Sequence, residues 1–430
     1  MATLTTSQAD AFGATVAPKV QRILLVALLF AALPVIAAIL YRGTERELSD
    51  AVLQALRRSD VIYLLAEGVV CLIAFRSGVR LSSVWSGCPV YVRTLLTIFL
   101  ATFAISSLFV SEMPLTSLGR SVQWLLHLVF AACVFQLFRG TSRTIADRFA
   151  VCLSAGMLVY VPILVVHVST NWSEIVDWIY AMPGYANVRS LGHVLTAMAA
   201  IPIAMFLRSL GKDRRWQACL AAMIVILMST LLWTGSRAAV YGLGCALVAC
   251  TLFGGVRPSA SRLIPFAGLL LISFCIAYAN LPDSDSFRLI RDGNSDFGSG
   301  RTTIWLSALS HIAERPIWGW GAGAAHWLIE VGGRRFTEPH NVILQFALSW
   351  GVIAACAAFA LLASAWFAMM RALRHDATLY PYVLMTNCLL AMSLVDGVLF
   401  RPHTIALIFI GFAVCLARDH DRWGLGQPVR

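Results

Sequence analysis

Residues 338–370 read EPHNVILQFALSWGVIAACAAFALLASAWFAMM: a polar quartet, Glu338-Pro339-His340-Asn341, runs straight into an apolar stretch. Crossing a bilayer as helix takes about 20 predominantly apolar residues. This run is longer, so the span that begins at His340 is expected to tilt or to project beyond the membrane. The quartet places a titratable imidazole at the mouth of that helix, directly after the large polar loop of the chain.

Working outward, the same pattern recurs along all 430 residues, of which 59% are hydrophobic and 13% charged. With a mean hydropathy of +0.76, the chain has too little polar surface for a soluble globule. It reads as an all-α polytopic membrane protein, one integral membrane domain over residues 1–430. Apolar runs predict about twelve spans, near 21–41, 59–75, 91–110, 116–138, 147–168, 190–209, 216–233, 236–253, 262–280, 340–370, 378–397 and 402–417. The first span lacks a basic leader and a small-residue cleavage site, and is read as retained.

Short loops rich in Arg and Lys stay in the cytoplasm. Arg76 and Arg80, Arg139 with Arg143 and Arg148, Arg208 to Arg215, Arg257 with Arg262, and Arg371 with Arg374 fall on one side of the twelve-span layout. Both termini join that side, and loops 169–189 and 281–339 lie outside. Loop 42–58 departs from the rule by carrying four arginines outside, partly offset by Glu45, Glu47 and Asp50. Ten of the eleven cysteines fall in spans and Cys88 in a cytoplasmic loop, so no disulfide is expected. The net charge of +11 follows the inside loops and calls for no nucleic acid.

Cytoplasmic loops this short exclude a nucleotide-binding domain. Gly319-Trp320-Gly321-Ala322-Gly323 has neither the spacing nor the lysine of a phosphate-binding loop; it reads as a tight turn or as a backbone nest for an anion. Asp283-Ser284-Asp285 reads as a solvated turn or as one half of a divalent-cation site. The stretch from Arg301 places Trp305, Leu309 and Ile312 at helical spacing and stops before Pro316. It predicts an amphipathic helix near the membrane, with Trp305, Trp318, Trp320 and Trp327 as headgroup-level anchors or as a platform for a sugar ring.

Arginine near mid-bilayer costs about 2.5–3.5 kcal/mol on insertion scales, yet Arg120, Arg189, Arg237, Arg301 and Arg401 all map to the external ends of spans or beside them. Lipid headgroups could draw any one of them by snorkelling. A shared anionic ligand accounts for the group, because a guanidinium offers a phosphate two parallel N–H bonds. His340, after Pro339 in what should be the first turn of a helix, faces the positive end of the helix dipole and neighbouring arginines, which disfavour the imidazolium form. A neutral imidazole suits a general base; Glu338 is the rival base, and a helix-capping role is the structural alternative. The other histidines show no metal-ligand spacing.

In this order, Thr234-Gly235-Ser236-Arg237-Ala238-Ala239, then Arg301-x-x-x-Trp305, Pro316-Ile317-Trp318-Gly319-Trp320-Gly321, and His340-Asn341-x-x-Leu344 with Gly351 resemble the signatures of the O-antigen ligase and polymerase superfamily. Ser349 and Ile343 depart from that pattern. The resemblance implies a glycosyltransferase of GT-C architecture with one large periplasmic loop, in the inner membrane of a Gram-negative bacterium. It implies a donor glycan on undecaprenyl diphosphate, lipid A-core oligosaccharide as acceptor, and neither metal nor cofactor. By that analogy His340 activates an acceptor hydroxyl, Arg120, Arg189, Arg237 and Arg301 stabilise the departing diphosphate, Glu338 and Asn341 support them, and the anomeric carbon inverts. An O-antigen polymerase or a protein O-oligosaccharyltransferase shares the signatures; the end of the chain soon after its last span ranks the latter lower. A transporter of lipid-linked oligosaccharides or anions would need matching interrupted helices in two halves, which the sequence does not display.

Overall fold

A computed structural model of the chain describes residues 6–42, 59–170, 182–185, 187–208, 213–280 and 301–422. Asp283 and Asp285, the arginines of 43–58, and most of loop 169–189 lie outside the described residues. Helices account for nearly all the rest: α1 (Thr6–Arg42), α2 (Ser59–Arg76), α3 (Leu81–Gly87), α4 (Val90–Ile105), α5 (Pro114–Phe138), α6 (Arg143–Thr170) and α7 (Val188–Arg208). Then come α8 (Arg214–Trp233), α9 (Arg237–Leu252), α10 (Ala260–Ala279), α11 (Arg301–Glu314), α12 (Val342–His375), α13 (Tyr380–Ser393) and α14 (Pro402–Arg422). One helical turn, Ala325–Leu328, and a hairpin of two-residue strands, Glu330–Val331 with Arg334–Arg335, precede α12.

Each of the twelve expected spans holds a helix, but among the described residues nine are long and apolar enough to cross a membrane. Three fall short for identifiable reasons. α2 turns by 88° into α3 at Arg76–Leu81, and α9 has 16 residues. α13 has only 14, because the apolar run 378–397 leaves the helix at Leu394 and Asp396 folds back to accept the N–H of Gly397 at 2.9 Å. The long span that opens at Val342 is broken rather than continuous: Gly351 sits at φ 81°, ψ 169°.

That break is filled by the glycine-rich loop. Breaking a helix frees carbonyls that must find donors; here Trp320 N–H donates to Leu348 O at 2.9 Å, Gly321 N–H to Ser349 O at 2.8 Å, and Ser106 Oγ also to Ser349 O at 2.8 Å. In return Val352 N–H reaches Pro316 O at 2.8 Å. A side chain at Gly351 would overlap the Ile317 carbonyl, and Gly319 and Gly321 adopt positive φ in equally close quarters. Since Ala322 N–H is also taken, by Ser117 Oγ at 2.8 Å, this segment is a docking turn, not an open anion nest.

α7 forms the axis: its apolar window is buried on all sides, and the α14 window is 83% buried. α6, α8, α9 and α13 pack around α7, with α14 against α5, α12 and α13. The two ends of this bundle differ. At one end the arginines of the short loops interlock with carboxylates: Arg208 with Asp147 at 2.8 Å, Arg418 with Asp376 at 2.9 Å and Arg371 with Asp419 at 2.7 Å. The other end carries the first turns of α7, α9 and α12 and the α13–α14 connection.

Candidate functional site

His340 does not lie in the first turn of a helix. It precedes the cap with φ +53°, a left-handed conformation that costs free energy in a residue with a Cβ. Asn341 is the N-cap: its Oδ1 accepts from Ile343 N–H at 2.9 Å and Leu344 N–H at 3.1 Å, while its Nδ2 donates to Leu394 O at 3.0 Å. Asn341 therefore supports the site by fixing the helix start to the α13–α14 connection. On the other side Trp305 Nε1 donates to Pro339 O at 2.9 Å, so α11 grips the quartet from outside. The buried face of α11 is Ile304, Ala308 and Ile312; Leu309 is exposed and Trp305 half-buried, one position round from the expected stripe. Trp320, expected at headgroup level, is buried, donates to His311 O at 2.8 Å and carries the Arg315 guanidinium 3.7 Å from its ring centre.

The residue that organises the site is one the sequence reading passed over. Asp396 Oδ1 stands 3.2 Å from His340 Nδ1, while Oδ2 stands 3.4 Å from His193 Nε2 and 3.5 Å from Arg301 Nη2. Burial alone would raise this carboxyl, but His193, His340 and Arg301 hold it well below the usual carboxylate range. Glu338 approaches the same His340 nitrogen at 3.7 Å. Its carboxylate lies against Gly397, where any side chain would displace it. With both carboxylates on the Nδ1 side, the tautomer they favour carries its proton on Nδ1 and leaves the Nε2 lone pair for a substrate.

Arg189 opens α7, and His193 follows one turn later on the same face. Between them Gly192 admits the Thr234-Gly235-Ser236 turn: a Cβ there would sit 3.1 Å from that of Ser236 and 3.5 Å from Thr234 Oγ1. Gly235, at φ +63°, turns the chain so that Arg237 begins α9 beside Arg189. Burial lowers Arg301 from its ordinary value, Asp396 opposes the shift, and the charges of Arg189 and Arg237 add to it. Three guanidiniums thus gather in one cluster with His340, His193, Asp396 and Glu338. Among the described residues His193 Nδ1 and Glu338 Oε2 are buried without completing a hydrogen bond, a state that a polar ligand or water would relieve.

Arg120 belongs to a neighbouring lobe. Its guanidinium carbon lies 4.5 Å from the centre of the Phe400 ring, and that of Arg401 lies 5.5 Å from the same centre. Asp60 pairs with Arg401 at 3.5 Å and accepts from His403 Nδ1 at 3.2 Å.

Chemically, this cluster can take an anion of several oxygens on its three guanidiniums while presenting a base within a short reach. A search of curated proteins finds no match to the chain. Residues 221–359, which include Arg237, Arg301, Glu338 and His340 as well as the docked glycine loop, match the family model described as O-antigen ligase.

Proposed function

We propose that this protein is an O-antigen ligase, transferring a glycan from undecaprenyl diphosphate to lipid A-core oligosaccharide at the periplasmic face of a Gram-negative inner membrane. The carrying observation is the convergence of Arg189, Arg237 and Arg301 with the His340–Asp396 pair at one end of an apolar bundle. A lipid diphosphate suits this combination: a membrane to hold the isoprenoid and guanidiniums to bind phosphate oxygens.

In the reaction, Asp396 and Glu338 hold His340 by Nδ1, and Nε2 takes the proton of an acceptor hydroxyl. The hydroxyl oxygen forms a bond to the anomeric carbon as the bond from that carbon to the diphosphate oxygen breaks. The electron pair leaves with the diphosphate, where Arg189, Arg237 and Arg301 stabilise the added charge. A single displacement inverts the anomeric centre. The three arginines supply the positive charge a divalent cation would otherwise bring.

The test is reconstitution of the purified protein with undecaprenyl-diphosphate glycan, with and without lipid A-core. The proposal expects lipopolysaccharide of increased size only when the acceptor is present. Polymer formed from the donor alone identifies a polymerase instead.

A further inference from the structure

Arg93 is an arginine of the short-loop end that the fold does not consume. Arg208, Arg371 and Arg418 each close on a carboxylate there at 2.9 Å or less. No carboxylate pairs with Arg93 among the described residues, and its Nε is buried without a hydrogen-bond partner. An arginine that merely snorkels keeps its head group in water. Here part of the guanidinium is turned inward instead, and a buried donor left unmatched costs free energy that an acceptor recovers.

The surroundings of Arg93 form a groove. α2 turns by 88° into α3, so α3 lies across the end of that span, along the plane of a membrane surface, and none of its residues is buried. Between α3 and the start of α4 is a cavity of about 450 Å³ lined by Trp85, Val90, Arg93, Thr94, Thr97 and Ile98. The α4 members follow the i, i+3, i+4, i+7, i+8 spacing of one helix face, and Trp85 of α3 closes the groove where an amphipathic ring suits the headgroup layer. Thr94 and Thr97 donate their hydroxyls back into the helix, to Val90 O at 3.1 Å and Arg93 O at 2.8 Å. Past the guanidinium the groove therefore presents methyl and alkyl surface, and exposed Ala101 and Leu108 continue it along α4. A cation followed by an apolar wall is the order in which a lipid presents its phosphate and its chains.

We propose that this groove binds a glycerophospholipid of the adjoining leaflet, with its phosphate on Arg93 and an acyl chain along Thr97, Ile98 and Ala101. A guanidinium gives a phosphate two parallel N–H bonds. The start of α4 adds to it, because Pro89 caps that helix with no side-chain hydrogen bond and leaves first-turn N–H groups for an anion. The site is independent of the transfer reading, since it opens at the opposite end of the bundle from His340.

The experiment is native mass spectrometry of the full-length protein in detergent. It is titrated with dioleoyl-phosphatidylglycerol, with dioleoylglycerol, which has the same chains and no phosphate, and with inorganic phosphate. The wild type should bind its first phosphatidylglycerol about tenfold or more tighter than dioleoylglycerol, on the scale of one charge-assisted bond, and hold no inorganic phosphate at the same concentrations. Arg93→Gln should bring phosphatidylglycerol down to the level of dioleoylglycerol. Thr97→Phe, which fills the groove and keeps the cation, should weaken both lipids, and Arg76→Gln, which removes an exposed charge at the same end, should change neither. Equal wild-type affinity for the two lipids overturns the proposal whether or not the variants fold. The same loss in Arg76→Gln as in Arg93→Gln overturns it too, because the attraction is then diffuse. Inorganic phosphate bound as tightly as phosphatidylglycerol removes the acyl chain from the site, and the lipid assignment falls with it.

Discussion

The two ends of this bundle are both rich in arginine, yet they use it differently. At the end formed by the short loops, Arg208, Arg371 and Arg418 close on Asp147, Asp419 and Asp376 at 2.7–2.9 Å, and Arg374 donates to the Phe253 carbonyl at 2.7 Å. These cations are consumed by the fold. At the other end Arg301 meets Asp396 only at 3.5 Å, Arg189 and Arg237 press their charge on Arg301, and several buried polar atoms complete no hydrogen bond. On the proposed reading, the arginines that find a short carboxylate partner tighten the structure, and those that meet theirs only at longer range serve a ligand.

The sharpest way to break this contrast is to remove the base. His340→Ala is expected to lower transfer by about 10²–10⁴-fold while leaving donor binding near that of the wild type, and Asp396→Asn is expected to lower it by a smaller factor by releasing Nδ1. Turnover of both variants follows from a single-turnover assay on purified protein. If His340→Gln works normally and Glu338→Gln is dead, the base lies two residues upstream and the histidine is structural.

Next in size come the arginines. A lysine keeps the charge but loses the planar fork, so Arg189→Lys, Arg237→Lys and Arg301→Lys should each cost about tenfold or more in transfer, on the scale of one charge-assisted bond. Arg371→Lys at the other end should leave the rate per folded molecule unchanged. Full activity in all three site variants would mean that those arginines only reach for lipid.

A smaller effect, on stability alone, is expected from Asp376→Asn. Burial would raise the Asp376 carboxyl, but bonds from Thr378 and Arg418 hold it below its ordinary value. A depressed carboxyl contributes stability above its unfolded value of about 3.9 and loses it as pH falls through the folded one. The substitution should therefore lower the melting temperature at neutral pH, by the equivalent of about 1–3 kcal/mol, and the difference from wild type should shrink under strong acid. Loss of transfer at unchanged stability would place a functional group at the wrong end.

The smallest effect should come from chelation. Transfer in EDTA should equal transfer without it, and Asp283→Ala with Asp285→Ala should be tolerated. Activity lost to EDTA and restored by Mg²⁺ or Mn²⁺ would show that the guanidiniums do not suffice for the leaving group.

Much of this contrast is written in the chain. Hydropathy places the helices, and the cost of charge in a bilayer singles out Arg189, Arg237 and Arg301, which the fold brings together. His340 stands out because a polar quartet opens an apolar run. Asp396 and His193 escaped notice although the same cost argument applies to them: each falls inside a predicted span, 378–397 and 190–209, and each is buried. Nothing local pairs residue 396 with 340 and 193, since periodicity reports which face of a helix a residue occupies and not which distant helix meets it. The Gly351 break was equally hidden, because an apolar run looks the same whether continuous or interrupted, and only the docked Pro316–Gly321 segment supplies donors to the freed carbonyls. The same signal picked out Arg120, which the fold sets over Phe400 near Asp60, and a sequence does not report which external arginines share one cluster.

The most direct measurement is a structure of the protein bound to a non-transferable undecaprenyl-diphosphate glycan. The account predicts diphosphate oxygens within hydrogen-bonding reach of the Arg189, Arg237 and Arg301 guanidiniums, with the anomeric carbon facing His340 Nε2 on the side opposite the leaving oxygen. A diphosphate seated against Arg208, Arg371 and Arg418, or a leaving oxygen lying on the same side as His340, would contradict it.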